Sequence, residues 1–233
     1  MKLLALESSA KAASCAVLSD GEVLATAWQA TGLTHSRTLL PMVEDMLRNS
    51  ELTVQSIDVI AAAAGPGSFT GLRIGIATVK GLAWAAEKPC IPVSTLEAMA
   101  WPLSHLKGNI ICAMDARRQQ IYNAVFSAEN GSLTRLREDR AISLEDAAAD
   151  LRSLDGPIYI VGDGAQLCFH FLQEKGIPCQ LAPGHLRLQS AVGVGLAAWR
   201  RWPGGAVTAQ ELTPVYLRLS QAERERLERE KNK

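Results

Sequence analysis

The stretch Gly65-Pro66-Gly67-Ser68-Phe69-Thr70-Gly71-Leu72-Arg73-Ile74-Gly75-Ile76-Ala77-Thr78-Val79-Lys80-Gly81-Leu82-Ala83-Trp84 decides the fold. The run before it, residues 57–64, is apolar with one charge and predicts a buried strand. Gly65, Gly67 and Gly71 crowd a turn, with Pro66 between the first two. Beyond it the chain is apolar with no proline until Pro89, which predicts a helix. Ser68 or Thr70 can cap that helix by accepting a hydrogen bond from a free first-turn amide. Strand, glycine turn and helix in this order present backbone N–H groups at a helix start, a place suited to an anion.

Three readings compete for the turn. A phosphate-binding P-loop needs Lys followed by Ser or Thr after its second glycine, and Gly71 is followed by Leu72 and Arg73. A dinucleotide fingerprint needs its own glycine spacing and an acidic residue about twenty positions on, after a second strand, and neither Glu87 nor Glu97 meets that pattern. The third reading is a tight structural turn. The helix carries only two charges between Gly71 and Ala86. These are Arg73 and Lys80, seven apart and so on one side. Leu72, Ile76, Val79 and Ala83 mark one apolar face, and Ile74, Ala77, Gly81 and Ala85 a smaller one. A helix apolar nearly all round is buried on more than one side, either between layers of its own domain or against a partner protein.

The chain has 233 residues, of which 48% are hydrophobic and only 5% aromatic, so an aliphatic core of one large or two modest domains is available. Lys plus Arg equals Asp plus Glu at 24 each, which argues against a strong nucleic-acid binder acting alone and leaves room for a nucleic acid held by a partner. The five cysteines form no C-x-x-C pair and sit mostly in apolar runs, as buried thiols in a reducing cytosol do. Glu7 falls too early for a signal peptide, and no run is long and clean enough to span a membrane. The expected location is the cytoplasm.

In order, the pattern predicts strands at residues 3–6, 14–18 and 22–29, the last two joined at Ser19-Asp20-Gly21. A helix over 34–48 follows, with Leu39, Val43 and Met46 on one side, Leu40 and Leu47 beside it, and Pro41 expected to kink it. After the quoted strand and helix come a strand at 90–93 and a helix from Ser94, with Glu97 completing a capping box. The second half repeats the order: strands at 109–114, 120–127 and 132–137, a helix from Ser143 to about 154, a strand at 158–161, the turn Gly162-Asp163-Gly164, a helix at 166–175, a strand at 178–181 and a helix at 189–202. Two βββαβα lobes, each with a carboxylate after its first strand (Glu7 and Asp115), predict an α/β fold of the actin-like (sugar kinase/Hsp70/actin) type. The expected units are 1–105 and 106–206, with part of 207–233 packed on the first. The charged run from residue 221 predicts a solvated helix.

Several motifs together resemble the TsaB (YeaZ) family: the glycine-rich stretch, His35-Ser36-Arg37 with Leu39-Leu40-Pro41, Val93-Ser94-Thr95-Leu96-Glu97-Ala98-Met99-Ala100, Met114-Asp115-Ala116-Arg117-Arg118, and Pro214-Val215-Tyr216-Leu217-Arg218. The resemblance implies a non-catalytic actin-like paralogue of TsaD. With TsaD and the ATPase TsaE, it would serve the transfer of threonylcarbamoyl to the adenosine beside the anticodon of tRNAs reading codons that begin with A. It implies a helix-bundle contact with TsaD, carried by Leu39, Leu40, Val43 and Leu47 of one helix and Arg73, Ile74, Ala77, Lys80 and Gly81 of the other, and a possible homodimer when the chain is alone. It implies no firmly bound cofactor or metal in this chain, with Glu7 and Asp115 as weak cofactor candidates and ATP or ADP and a metal in the assembled complex.

The residues bear on that implication. TsaD-like enzymes hold a metal with two histidines four apart, and His35, His105, His170 and His185 form no such pair. Relatives usually have Asp where this chain has Glu7, which changes the reach of that carboxylate. The alternative is an actin-fold ATP-dependent kinase or a metallo-hydrolase acting on its own. The missing histidine pair counts against the hydrolase and the unmatched phosphate turns against the kinase, although Gly162-Asp163-Gly164 offers one turn. A third alternative is an interaction module with no link to tRNA.

Overall fold

In the computed structural model of the chain, residues 1–117 and 119–218 are described; Arg118 and the charged run from residue 221 lie outside them. The first half runs β1 (Lys2–Glu7), β2 (Ala13–Ser19), β3 (Glu22–Gln29), α1 (His35–Asn49), β4 (Val59–Gly65), α2 (Phe69–Ala86), β5 (Cys90–Ser94) and α3 (Thr95–Ala100). The second runs β6 (Gly108–Asp115), β7 (Gln120–Glu129), β8 (Ser132–Ser143), α4 (Leu144–Leu151), β9 (Ile158–Val161), α5 (Ala165–Glu174), β10 (Gln180–Leu181), α6 (Gly184–Arg187) and α7 (Ala191–Arg201). The halves build two five-stranded sheets of the same plan, β3-β2-β1-β4-β5 and β8-β7-β6-β9-β10. In each, the first three strands are antiparallel and the rest join in parallel. Asp20 and Asn130 adopt φ of 51° and 52° in the two hairpin turns, as such tight turns demand.

Strand periodicity sets the layers. Leu4 and Leu6 of β1 join α1 and α2 in one cluster, while Leu3 and Ala5 join α7 in another. In β6, Ile111 and Ala113 face α4 and α5, while Ile110, Cys112 and Met114 face α3. The stack is therefore α1/α2, first sheet, α3/α7, second sheet, α4/α5. The middle layer is shared between the halves. Residues Ala191, Val194, Ala197 and Ala198 of α7 pack on the first sheet, whereas Leu96, Met99 and Ala100 of α3 pack on the second. α7 covers apolar surface of the other half, and α3 lies between the two sheets, with Ala98 in the first sheet's cluster. β8 runs to Ser143 rather than to 137, because Arg137 and Arg140 both reach Asp150 of α4, so its charges are paired across a packed face.

A charge cluster ties the seam. Ser94 caps α3 by accepting from Glu97 N at 3.2 Å. The Glu97 carboxylate does not close the expected capping box but accepts from Arg135 at 3.3 Å and from Arg201. Arg135 also donates to Asp139 at 2.5 Å, and Asp139 accepts from Ser94 Oγ. Glu97 is only 15% exposed, so removing it takes from Arg201 its carboxylate partner and leaves Arg135 with Asp139. Glu97→Ala is expected to lower unfolding stability by about 1–3 kcal/mol, measured by urea titration; an unchanged midpoint would mean that the cluster adds nothing to the seam.

Candidate functional site

The start of α2 receives the link between β1 and β2. Ser68 N donates to Ser9 O at 2.7 Å, Ser8 Oγ to Gly71 O at 2.9 Å, and Gly71 N to Ser68 Oγ at 3.3 Å. A Cβ on Gly71 would overlap the Ser8 carbonyl oxygen, and one on Gly75 would overlap Ser8 Oγ. Gly65, at φ +128°, leaves room for the Val215 carbonyl, while Val215 N donates to Ala64 O at 2.7 Å. The amides of residues 68, 71 and 72 are thus committed to internal acceptors, Leu72 N to Ser68 O at 2.8 Å. The structural turn is the reading that this geometry supports. The second turn is similar, for Gly162 N donates to Arg187 O and Gly164 N to Ala113 O.

A cleft of about 520 Å³ opens between the halves, lined among others by Ser9, Lys11, Asp115, Arg117, Asp163 and Tyr216. Glu7 lies near it, 1% exposed, with Oε1 accepting from Ser9 N at 2.5 Å and Oε2 without a partner. Burial pushes its carboxyl up to about 7, against the pull of Ser9 and with a further push from Asp163. Asp163 is likewise raised, chiefly by burial, and accepts from Gln189 Nε2 at 3.1 Å. Asp115 sits exposed on the rim, bound to Arg117 N at 2.7 Å. The charged neighbour of Glu7 is therefore Asp163, which the sequence marked only as part of the Gly162-Asp163-Gly164 turn, and Asp115 faces solvent. Among the described residues no three His, Cys, Asp or Glu side chains converge.

The expected partner-facing residues divide into three groups. Leu39, Val43 and Leu47 are 1%, 1% and 5% exposed and belong to the core beneath α1, because the apolar stripe of that helix faces its own sheet. Ile74 is half-buried against the same core. Arg73 and Lys80 are engaged by the chain's own C-terminal segment: Arg73 Nε donates to Tyr216 Oη at 3.1 Å, and Lys80 Nζ to the carbonyls of Gln210 and Leu212 at 3.1 and 3.2 Å. Leu40, Ala77 and Gly81 remain outward. Beside the last two stands Trp84 at 81% exposure, a residue inside the quoted stretch whose role the helical pattern did not reveal. Gly75 is internal, so its close neighbour is Ser8 and not another chain.

The buried carboxyl makes stability depend on pH. With its folded value raised from 4.5 to about 7, Glu7 binds its proton more tightly in the folded state. Stability is greatest below the unfolded value, falls between about pH 4.5 and 7, and has lost on the order of 3 kcal/mol above that window. Glu7→Gln is expected to remove this component, so its stability gain over the parent chain grows from pH 5 to 7 and then levels off. Urea unfolding at each pH measures it, and parallel pH profiles for the two proteins would refute it.

Comparison with known proteins adds three findings. The family model described as TsaD: tRNA N6-adenosine threonylcarbamoyltransferase matches residues 29–176. The tRNA threonylcarbamoyladenosine biosynthesis protein TsaB of Bacillus subtilis (strain 168) is 30% identical over 99% of this chain and 100% of its own length, and that of Escherichia coli (strain K12) is 33% identical over 94% and 95%. The solved structure of YeaZ from Pseudomonas aeruginosa superposes with a TM-score of 0.78 at 29% identity, covering 93% of this chain and 99% of that one. With the duplicated sheets and the glycine-bared start of α2, these matches place the chain in the TsaB family of tRNA threonylcarbamoyladenosine biosynthesis proteins, on an α/β actin-like fold.

Proposed function

We propose that this chain is a non-catalytic subunit that binds and activates the transferase TsaD in forming N6-threonylcarbamoyladenosine on tRNAs that read codons beginning with A. The observation that carries this reading is the outward face of α2, where the open Ala77 and Gly81 adjoin an indole that is 81% exposed. An aromatic of this size left in water is a common anchor for a protein partner. The match of the transferase model to most of both halves supports a paralogous partner of similar fold. The internal acceptors taken by the amides of residues 68, 71 and 72, and of 162 and 164, support a supporting rather than a phosphate-transferring role for the cleft. TsaE, tRNA, ATP or ADP and a metal belong, on this reading, to the assembled complex. When the chain is alone, a second copy can cover the same face. No helix among the described residues is long and apolar enough to cross a membrane, in keeping with work in the cytoplasm.

Titration calorimetry of the chain with TsaD of its own organism tests this. Trp84→Ala is expected to weaken binding about tenfold or more. Ala77→Trp, which sets a bulky ring on the close-approach face, should do the same, with monomer stability kept within about 0.5 kcal/mol in both. Unchanged affinity in both variants would move the contact elsewhere.

A further inference from the structure

Residues 207–218 run antiparallel to α2 from one end to the other. Val207 exchanges both backbone hydrogen bonds with Cys90, at 2.8 Å each, beyond the C-terminal end of the helix. Gln210 and Leu212 then hold Lys80, with the Leu212 side chain fully buried in the core. Tyr216 stacks on Phe69, ring centroids 4.6 Å apart and planes 26° apart, and Arg73 lies over the other partner of that stack, 4.0 Å from the Phe69 centroid. Val215 fills the space that Gly65 leaves, and Arg218 donates to Ala116 O of the second half at 2.5 Å. From Lys80 to Phe69 the helix rises roughly 16 Å, and the six steps from Gln210 to Tyr216 span at most about 20 Å, so the segment reaches along it with little chain to spare.

We infer that residues 207–218 form a strap that sets the position of α2, making Tyr216 and Lys80 positioning residues for partner binding that act without touching the partner themselves. This inference rests on the α2-facing reading proposed above. The β1–β2 link seats only the first turns of α2, and α1 with its sheet holds one flank; the strap grips the helix as far along as Lys80. The two cations on α2 are the grips. Lys80 gives its ammonium to two main-chain carbonyls, and Arg73 is held between an aromatic face and a hydroxyl. The same strap lines the cleft at Tyr216, Leu217 and Arg218, so the partner-facing helix and the cleft share one support.

The test uses the full chain, TsaD of the same organism, and hydrogen exchange of the α2 amides in the free chain. Tyr216→Ala and Lys80→Met are each expected to speed exchange in α2 and weaken TsaD binding about tenfold. Tyr216→Phe keeps the ring stack but removes the hydroxyl that holds Arg73, so a loss smaller than that of Tyr216→Ala is expected; Lys80→Met carries the test should Tyr216→Ala fail to fold. Faster exchange with unchanged affinity would overturn the inference, since the strap would then hold α2 with no consequence for the partner. Unchanged exchange would overturn it as well. Failure of the unsubstituted chain to bind TsaD would overturn the partner reading and this inference with it, and is distinguished from the other outcomes by the parent titration alone.

Discussion

A Cβ on Gly65, Gly71 or Gly75 would collide with Val215, with the Ser8 carbonyl or with Ser8 Oγ. That steric constraint is the one on which the rest of the structure depends. With the glycines bare, the β1–β2 link can lie directly on the first turns of α2 and be hydrogen-bonded there through Ser8, Ser9 and Ser68. Because the link is seated, β1 and α2 are held in fixed relation, and the C-terminal segment can lie across the same turn through Val215. A glycine-rich turn between a strand and a helix invites comparison with phosphate loops. Here its close approaches are made by the chain's own backbone, and its amides at 68, 71 and 72 are given to internal acceptors.

From that anchor the molecule divides its labour between two sides of one helix. Leu72, Ile76, Val79 and Ala83 of α2 are buried on the first sheet, while Ala77, Gly81 and Trp84 stay in water. The inner face fixes the helix in the core, and the outer one is left with small residues and one large ring, a surface suited to close helix contact. Behind it, α3 and α7 lie between the sheets, α7 on the first and α3 against both, and the Glu97–Arg135–Asp139 cluster holds the edge of that layer. The cleft between the halves retains a buried, proton-rich carboxyl at Glu7, which is a burden on stability rather than an aid. The longer side chain, relative to Asp, places its carboxylate within reach of Ser9 N without giving Oε2 a partner.

Much of this was legible in the sequence because it is local. Apolar runs of strand length, glycine and Asp-Gly turns and the helical spacing after Gly71 were enough to order the elements and expose the duplication. Ser68, Ser94 and Ser143 signal their helix starts by composition alone, and each accepts the expected capping bond. What failed is non-local. Leu39, Val43 and Leu47 form an apolar stripe whose pattern is the same whether it faces a sheet or a partner. The carbonyls that hold Lys80 are about 130 positions away and have no side-chain signature. The placing of α3 and α7 across the seam depends on which surface each half leaves uncovered, and the strand read at 132–137 ended too early because the arginines of β8 are paired only once α4 has folded beside it. Asp163 became visible as the neighbour of Glu7 only when the two halves met.

The central claim is that this chain acts by supporting TsaD and not by chemistry of its own. Reconstituting the modification of an unmodified tRNA, with threonylcarbamoyl-adenylate as donor, and with TsaD and TsaE of the same organism present, tests it most directly. The account predicts modified adenosine when this chain is added to the other two and none when it is left out or supplied alone. Modification by this chain without TsaD, or full activity of TsaD and TsaE in its absence, would contradict it.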